Sequence, residues 1–215
     1  MREYSDVLPY PWFTTPPLQE RSTVTVEAIF EATAQILVES GMDRFNTDRV
    51  AKRAGVSIGT LYQYFPNKQT LVYSLLERYL DARDNALEET CQALGGGPVE
   101  PLITAAVNSY IDSKLADVKL ATALYAAAAE TGASAIVKRT SDRCCRALSR
   151  ALARSTGRSE AQTHFPAVML FSSMAETTRE VLHLGATPDQ VAKLRKQLPL
   201  LCCSYLQTWL NEQAS

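Results

Sequence analysis

The chain has 215 residues, of which 46% are hydrophobic and 21% are charged, the ordinary balance of a folded globular protein. This composition excludes wholesale disorder, and the modest glycine and proline counts exclude a collagen-like repeat. Only 2 histidines are present, which argues against an enzyme that holds its metal with several histidines. The net charge of -1 neither indicates nor excludes a nucleic-acid partner.

Residues 1–21 are predicted to form an extended arm, because Pro9, Pro11, Pro16 and Pro17 block helices and central strands. Acidic residues stand where a signal peptide would need its apolar core. No stretch reaches the roughly 18 apolar residues of a membrane span. We therefore expect a cytoplasmic protein with no membrane partner.

After the arm, apolar residues recur at spacings of three and four, which predicts an all-α fold. Glycines, prolines and N-capping residues set the predicted helix bounds at about 23–40, 47–54, 58–64, 67–94, 99–112, 117–131, 133–156, 160–184 and 188–212. Pro166 and Pro199 fall inside the last two spans and should kink them or shift a boundary. The chain divides into the arm, a head over residues 22–82 and a helical body over residues 83–215.

The five cysteines do not resemble a disulfide framework or a metal site. They are odd in number, and none forms a CxxC pair. We expect reduced thiols that pack as small apolar residues, with a redox-sensing thiol as the alternative. The cysteines are Cys91, Cys144, Cys145, Cys202 and Cys203.

The functional motif lies at about residues 46–65. A short helix from Thr47, a tight turn at Gly55 and a second short helix after Ser57 are the parts of a helix-turn-helix. The second helix carries hydroxyl, amide and aromatic groups that suit base edges and phosphates. The residues that we expect this helix to expose are Ile58, Gly59, Thr60, Gln63 and Tyr64, and the last three supply those groups. Residues 44–68 also hold five basic residues against one acidic residue, Asp48, an excess that favours binding to DNA phosphates.

Residues 23 to about 83 resemble the DNA-binding domain of the TetR family of bacterial transcriptional regulators. The pattern that carries the resemblance is Phe45-x-Thr47-x-x-Val50-Ala51-x-x-Ala54-Gly55-Val56-Ser57-x-Gly59-x-Leu61-Tyr62-x-Tyr64-Phe65-x-Asn67-Lys68-x-x-Leu71. It implies a three-helix N-terminal head that binds DNA and a C-terminal helical body that binds a ligand and dimerises. The rest of the chain resembles the family only in its length and its helical character.

The resemblance also implies roles for matching residues. Thr47 and Lys68 would bind phosphates, and Tyr62 and Tyr64 would reach phosphate or sugar. The residues at the tip of the recognition helix would face the bases, and these are Ser57, Ile58, Gly59 and Thr60. Asp48 is a departure, because it places a negative charge where a basic residue would help to bind a phosphate.

The function expected from the resemblance is that of a repressor. It would bind double-stranded operator DNA and release it when a small-molecule effector binds the body. The alternative is an all-helical ligand-binding or interaction protein without operator binding. The run from Gly55 to Gly59 matches G-x-S-x-G, but a helix and not a strand precedes it, so a serine hydrolase is rejected. His164 and His183 have no ligand cluster around them, so we expect no metal and no cofactor.

Apolar stripes on the last two helices predict a homodimer with a four-helix, two-fold interface. The alternative is a wide core within one chain. A two-fold dimer would place its recognition helices about 34–36 Å apart on a near-palindromic operator. The predicted interface residues are Phe171, Ala175, Leu182, Val191, Leu194, Leu198, Leu201 and Tyr205.

The body is rich in alanine, which can leave a cavity between helices for an effector. Aromatic and sulfur side chains are the candidate lining, with plain core packing as the alternative. Phe171 is a candidate for both the effector site and the dimer interface. The helix from 67 to about 94 would transmit binding from the body to the head. The candidate effector residues are Tyr110, Tyr125, Met169, Phe171 and Met174.

Overall fold

The computed structural model describes residues 20–131 and 133–212, with side chains for residues 22–128 and 133–212. All regular structure in these residues is helical, which confirms the all-α prediction. The helices are α1 (Glu20–Ser40), α2 (Thr47–Ala54), α3 (Ile58–Tyr64), α4 (Lys68–Leu94), α5 (Val99–Leu115), α6 (Val118–Thr131), α7 (Ser134–Thr156), α8 (Glu160–His183) and α9 (Pro188–Glu212).

Most helix ends lie where the punctuation residues predicted them. The side chain of Asn67 accepts a hydrogen bond from the Thr70 amide at 2.8 Å, as the capping prediction requires. Helix α1 begins three residues earlier than expected, and α5 continues to Leu115. Neither Pro166 nor Pro199 ends its helix or shifts a boundary. The predicted arm lies outside the described residues except for its last two positions, which belong to α1.

The chain forms two compact units. Among the described residues, the first contains those from 20 to 78 together with 123–131 and 133, and the second contains 79–122 and 134–212. Helices α4 and α6 each contribute residues to both units. The division on α4 falls after Arg78, four residues before the end of the head predicted from the sequence.

The first unit packs α1, α2 and α3 around a small apolar core. Val50 and Leu61 are fully buried. The ring of Phe65 lies 5.4 Å from that of Phe30 between centroids. Gly55 ends α2 with a φ of 69°, a left-handed conformation that glycine adopts without strain. This turn sets the direction in which α3 leaves the motif.

The second unit has one large core. Helices α5, α7, α8 and α9 surround it, and Leu87 and Cys91 of α4 pack into it. A capping box at Ser159 fixes the start of α8, since Ser159 and Gln162 exchange side-chain and backbone hydrogen bonds. The core includes Ile103, Val107, Tyr110, Leu148, Leu152, Leu170, Phe171, Met174, Leu194, Leu198 and Leu206.

All five cysteines are free thiols, as expected. Four are buried, and Cys203 is half-buried. Burial raises the pKa of Cys91 to about 12 and that of Cys145 to about 11. Because the thiolate is the reactive form, these environments disfavour redox chemistry.

In residues 20–131 and 133–212, no helix combines the length and the apolar character needed to cross a membrane. The same residues contain no group of three or more histidine, cysteine, aspartate or glutamate side chains placed to hold a metal ion.

Candidate DNA-binding site and candidate effector site

The predicted phosphate-binding residues meet in one groove of the first unit. This groove, which we call the phosphate groove, has a volume of about 480 Å³. The Thr47 hydroxyl lies 3.0 Å from the Tyr62 hydroxyl, within hydrogen-bonding distance, and Lys68 lines the same groove. The groove adjoins the first residues of α2 and α4, where helix dipoles favour an anion. Its lining is Phe45, Asn46, Thr47, Asp48, Tyr62, Pro66, Asn67, Lys68 and Gln69.

Asp48 is the one acidic side chain in this lining. Its backbone amide donates to the Asn46 side chain at 2.7 Å, so part of the N-terminal donor set of α2 is already used. The carboxylate opposes phosphate binding, as the sequence indicated.

The tip of α3 is exposed but internally bonded. The Thr60 amide donates to Ser57 Oγ at 2.9 Å, and the two side-chain hydroxyls lie 2.8 Å apart. A Cβ at Gly59 would have only Ser57 Oγ nearby, at 3.7 Å, so the outer side of Gly59 is open. Ile58 and Gln63 are exposed as well. Of the predicted base-reading residues, Ser57, Ile58 and Gly59 are thus exposed, and Thr60 is half-buried.

The two tyrosines of α3 have different environments. Tyr62 is 44% exposed and shares the phosphate groove with Thr47. Tyr64 is half-buried, with its ring 6.5 Å from that of Phe65. Packing therefore accounts for part of the role that the sequence assigned to Tyr64.

Glu39 of α1 holds two of the head's arginines. Arg53 donates to both Glu39 carboxylate oxygens, at 2.6 and 3.1 Å, and Arg49 donates at 3.3 Å. The hydrogen bond from Arg53 is the main cause that lowers the pKa of Glu39. The basic excess of residues 44–68 therefore overstates the free charge, because Glu39 lies outside that window.

The other three basic side chains of residues 44–68 are available to an anion. Among the residues that the structure describes, no carboxylate lies within ion-pair distance of Arg44, Lys52 or Lys68.

The five candidate effector residues do not form one site. Tyr110, Phe171 and Met174 share the core of the second unit, where the Tyr110 and Phe171 rings meet edge to face at 5.7 Å. Met169 is 42% exposed on α8, and Tyr125 belongs to the first unit. Only three of the five are therefore brought together.

A buried charged pair lies beside Tyr110, and the sequence analysis missed it. The ammonium of Lys114 lies 5.2 Å from the Tyr110 ring centroid, and Asp84 is close enough to affect its titration. Burial is the main cause that raises the pKa of Asp84 to about 6 and lowers that of Lys114 to about 8. Lys114 continues the apolar stripe of α5 one turn after Tyr110, and a charge at a core position is the signal that could have revealed it.

Most of the predicted dimer residues are already covered within the chain. Phe171, Leu194 and Leu198 belong to the core of the second unit, and Leu182 is also buried. Helix α9 contacts α5 and α8 of its own chain, which explains why its main apolar stripe needs no partner. Burial within one chain leaves these four side chains little surface for a partner, and their place in an interface stays a prediction. Ala175, Val191 and Tyr205 are half-buried, and Leu201 is 54% exposed.

Comparisons with known proteins agree with this architecture. Residues 29–75 match the family model of the bacterial regulatory proteins of the tetR family, and residues 98–206 match the tetracyclin repressor-like C-terminal domain. The nucleoid occlusion factor SlmA of Haemophilus ducreyi is 38% identical over 69 residues, which are 30% of this chain and 34% of that protein. The transcriptional repressor KstR of Mycolicibacterium smegmatis is 38% identical over 74 residues, 34% of this chain and 36% of KstR. The chain thus aligns with about a third of the length of these curated relatives.

A solved structure shares the fold over most of the chain. It is a TetR-family transcriptional regulator from Mesorhizobium loti, with a TM-score of 0.75, 18% identity, and coverage of 88% of this chain and 98% of that one. The helix-turn-helix head and the helical body define an all-helical protein with the architecture of this family's regulators. The chain belongs to the TetR family of bacterial regulatory proteins.

Proposed function

We propose that this protein is a cytoplasmic, ligand-responsive repressor that binds near-palindromic operator DNA as a homodimer. Its head would read the operator, and a small molecule bound in the body would release it. The observation that carries the proposal is the phosphate groove, which Thr47, Tyr62 and Lys68 line together.

The chemistry of the head supports DNA as the partner. Hydroxyl and ammonium groups at the starts of α2 and α4 suit phosphate oxygens, which position a protein on duplex DNA without reading its sequence. The small and polar residues at the start of α3 suit base edges in the major groove. Arg44 and Lys52 add charge that would neutralise further phosphates.

A rival function has support as well. Glu39 occupies Arg49 and Arg53, and Asp48 lines the phosphate groove. Both carboxylates lower the affinity for a polyanion, so a helical ligand-binding protein without operator binding is the second candidate. Salt-dependent binding to duplex DNA separates the two, because only a DNA-binding head releases counterions on association.

The effector site that we propose lies around the core of the second unit near Tyr110 and Phe171. Apolar and aromatic walls would take most of the effector, and the Lys114–Asp84 pair would supply the polar contacts. Asp84 Oδ2 is buried and makes no hydrogen bond within the described residues, and its recorded ion-pair contact is a long one, 3.9 Å to Arg143. An effector that donates a hydrogen bond there would satisfy it.

We propose that binding is communicated along α4, which carries Lys68 at its start and Asp84 nearer its end. A ligand that prefers one arrangement of the body would then change operator affinity. The same free energy would appear in the ligand's own affinity when DNA is bound, typically about 1–3 kcal/mol.

The dimer that we propose still uses α8 and α9, mainly through side chains that are exposed in one chain. Phe165 and Met169 are one turn apart on α8 and are 67% and 42% exposed. Leu201, which the sequence analysis named, and the adjacent Leu200 are more than half exposed on α9. Exposed apolar side chains of this size suit burial against a second copy in a four-helix interface.

The experiment that tests the proposal measures binding to labelled random-sequence duplex DNA at several salt concentrations. We expect affinity to fall steeply with salt, and Lys68→Ala to reduce the slope by about one unit. Lys138→Ala removes an exposed lysine of α7 and should leave the slope unchanged. If the wild-type protein shows no salt-dependent binding, operator binding is rejected.

A further inference from the structure

A second groove in the second unit is lined by four arginines. It lies between α4 and α7, has a volume of about 470 Å³, and is called here the arginine groove. Cys91 and Ala147, which also touch the apolar core of this unit, lie among its lining residues. The lining has one carboxylate, Glu88, and an excess of three positive charges. Its four arginines are Arg143, Arg146, Arg150 and Arg154.

Two of the four arginines are held by the protein itself. Arg143 donates to Asp81 at 3.1 Å and pairs with Glu88 at 3.0 Å. Arg154 donates to the Cys91 carbonyl at 2.9 Å, near the C-terminal end of α4, where a cation is favoured. A Cβ at Gly95 would overlap the Arg154 guanidinium, so glycine at this position makes room for that contact.

The two central arginines are not held in this way. Arg146 is exposed, and among the described residues no carboxylate lies within ion-pair distance of its guanidinium. Arg150 approaches Glu160 only at 3.6 Å, with both side chains 61% exposed, an arrangement that contributes little. Four residues along a helix correspond to a rise of about 6 Å, so both side chains project from successive turns of α7.

We propose that the arginine groove binds a small molecule that carries two linked phosphate groups, and that Arg146 and Arg150 bind them. Guanidinium groups match phosphate oxygens with paired, charge-assisted hydrogen bonds. Each terminal phosphate carries about −1.5 to −2 charge near pH 7, so one phosphate for each of the two central arginines suits the positive lining of the groove. Arg143 and Arg154 add charge at the two ends.

The surroundings of the groove favour a short anion over a nucleic acid. Asp81, Glu88 and Glu160 surround the arginines and would repel a polyanion that extends beyond them. The groove volume is also within the usual range for small-molecule sites, about 300–1,000 Å³. Binding here does not require operator recognition, so it goes beyond the proposed function and can fail independently of it.

The test is isothermal titration calorimetry of the full chain with pyrophosphate and with inorganic phosphate. The wild-type protein should bind pyrophosphate saturably and inorganic phosphate more weakly. The double variant Arg146→Gln/Arg150→Gln should bind pyrophosphate about tenfold or more weakly, because it loses the charge-assisted hydrogen bonds. The control is Lys138→Gln/Lys193→Gln, which removes the same charge from exposed lysines of α7 and α9 and should bind like the wild type.

Three calorimetric results would overturn the proposal. They are no saturable pyrophosphate binding by the wild type, pyrophosphate binding by the arginine double variant as tight as that of the wild type, and a loss of affinity in the lysine control as large as that in the arginine double variant.

A separate experiment measures binding to random-sequence duplex DNA without pyrophosphate. The double variant should keep its DNA affinity; if that affinity falls as much as the pyrophosphate affinity, the groove is a nucleic-acid surface and the proposal is wrong.

Discussion

The hydroxyls of Thr47 and Tyr62 lie 3.0 Å apart and link the start of α2 to the middle of α3. Each was assigned a separate phosphate contact from the family resemblance, whereas the fold joins them as one hydrogen-bonded pair. A phosphate oxygen that enters the phosphate groove would therefore meet two positioned hydroxyls together with Lys68. This arrangement reduces the side-chain ordering that binding would otherwise require.

Replacing Tyr62 with phenylalanine tests that pair. The variant loses one hydroxyl, and its exposed position makes a change in fold stability small. We expect DNA affinity to fall roughly 2- to 10-fold, the equivalent of one net hydrogen bond. Fluorescence anisotropy with labelled duplex DNA measures the change. Thr122→Val removes an exposed hydroxyl from α6 and serves as the control, and an equal loss in both variants would contradict the assignment.

Thr60→Ala separates base recognition from capping. The substitution removes the Thr60 hydroxyl but keeps the backbone amide that donates a hydrogen bond to Ser57 Oγ. The free energy of unfolding should therefore change little. Discrimination should be lost at one or two base positions, worth about 1–3 kcal/mol per good contact. Ser57→Ala should instead lower the free energy of unfolding by about 1 kcal/mol, because it removes the N-cap of α3. An unchanged sequence preference in Thr60→Ala would show that this residue does not read bases.

Glu39→Gln should increase DNA affinity. The neutral amide no longer neutralises Arg49 and Arg53, so both become more available to phosphates. We expect tighter binding to random-sequence duplex DNA and a steeper dependence on salt. Glu31→Gln removes another exposed carboxylate of α1 and is the matched control. Weaker binding by Glu39→Gln would mean that Glu39 positions the arginines for DNA rather than competing with it.

The buried Asp84–Lys114 pair predicts a specific pH dependence of stability. The pKa of Asp84 is raised from 3.8 to about 6, so the folded state binds more protons than the unfolded state between these values. Its contribution to stability therefore falls as pH rises from about 4 to 6. The pKa of Lys114 is lowered from 10.5 to about 8, so its contribution rises again above pH 8.

Urea unfolding at several pH values checks this profile against the variant Asp84→Asn/Lys114→Met, which lacks both titrations. Relative to that variant, the free energy of unfolding of the wild type should fall by about 3 kcal/mol between pH 4 and 6 and be lowest between pH 6 and 8. Parallel pH profiles for the two proteins would refute the burial of both charges.

Phe165→Glu should weaken the dimer. The side chain is 67% exposed in one chain, so the substitution costs little within the monomer but places a charge in the proposed interface. Analytical ultracentrifugation should show dissociation at micromolar concentration. Val137→Glu alters an exposed apolar residue of α7 and should remain dimeric. A wild-type monomer at the same concentration would reject dimerisation through α8 and α9.

Local signals predicted the secondary structure well. Gly55 allows the left-handed turn after α2, and Asn67 caps α4, so both positions define helix ends without tertiary contacts. The sequence also identified the exposed tip of α3, because capping and core residues alternate with small polar ones over a few positions. These features depend only on neighbours along the chain.

Tertiary packing decided what the sequence could not. The stripe through Leu194 and Leu198 predicts a buried face, but periodicity does not say whether the same chain or a second copy covers it. Glu39 meets Arg53, and Asp84 approaches Lys114, only because separate helices fold together. The arginine groove is likewise invisible in sequence, since its lining comes from both α4 and α7.

Selection from a random duplex library tests most directly whether the head reads operator DNA. The protein is incubated with the library, bound duplexes are amplified, and the enriched sequences are read. We expect a near-palindrome whose half-sites are centred about one helical turn apart, roughly 34–36 Å. A library that remains random after repeated selection, while the protein stays folded, would contradict this expectation.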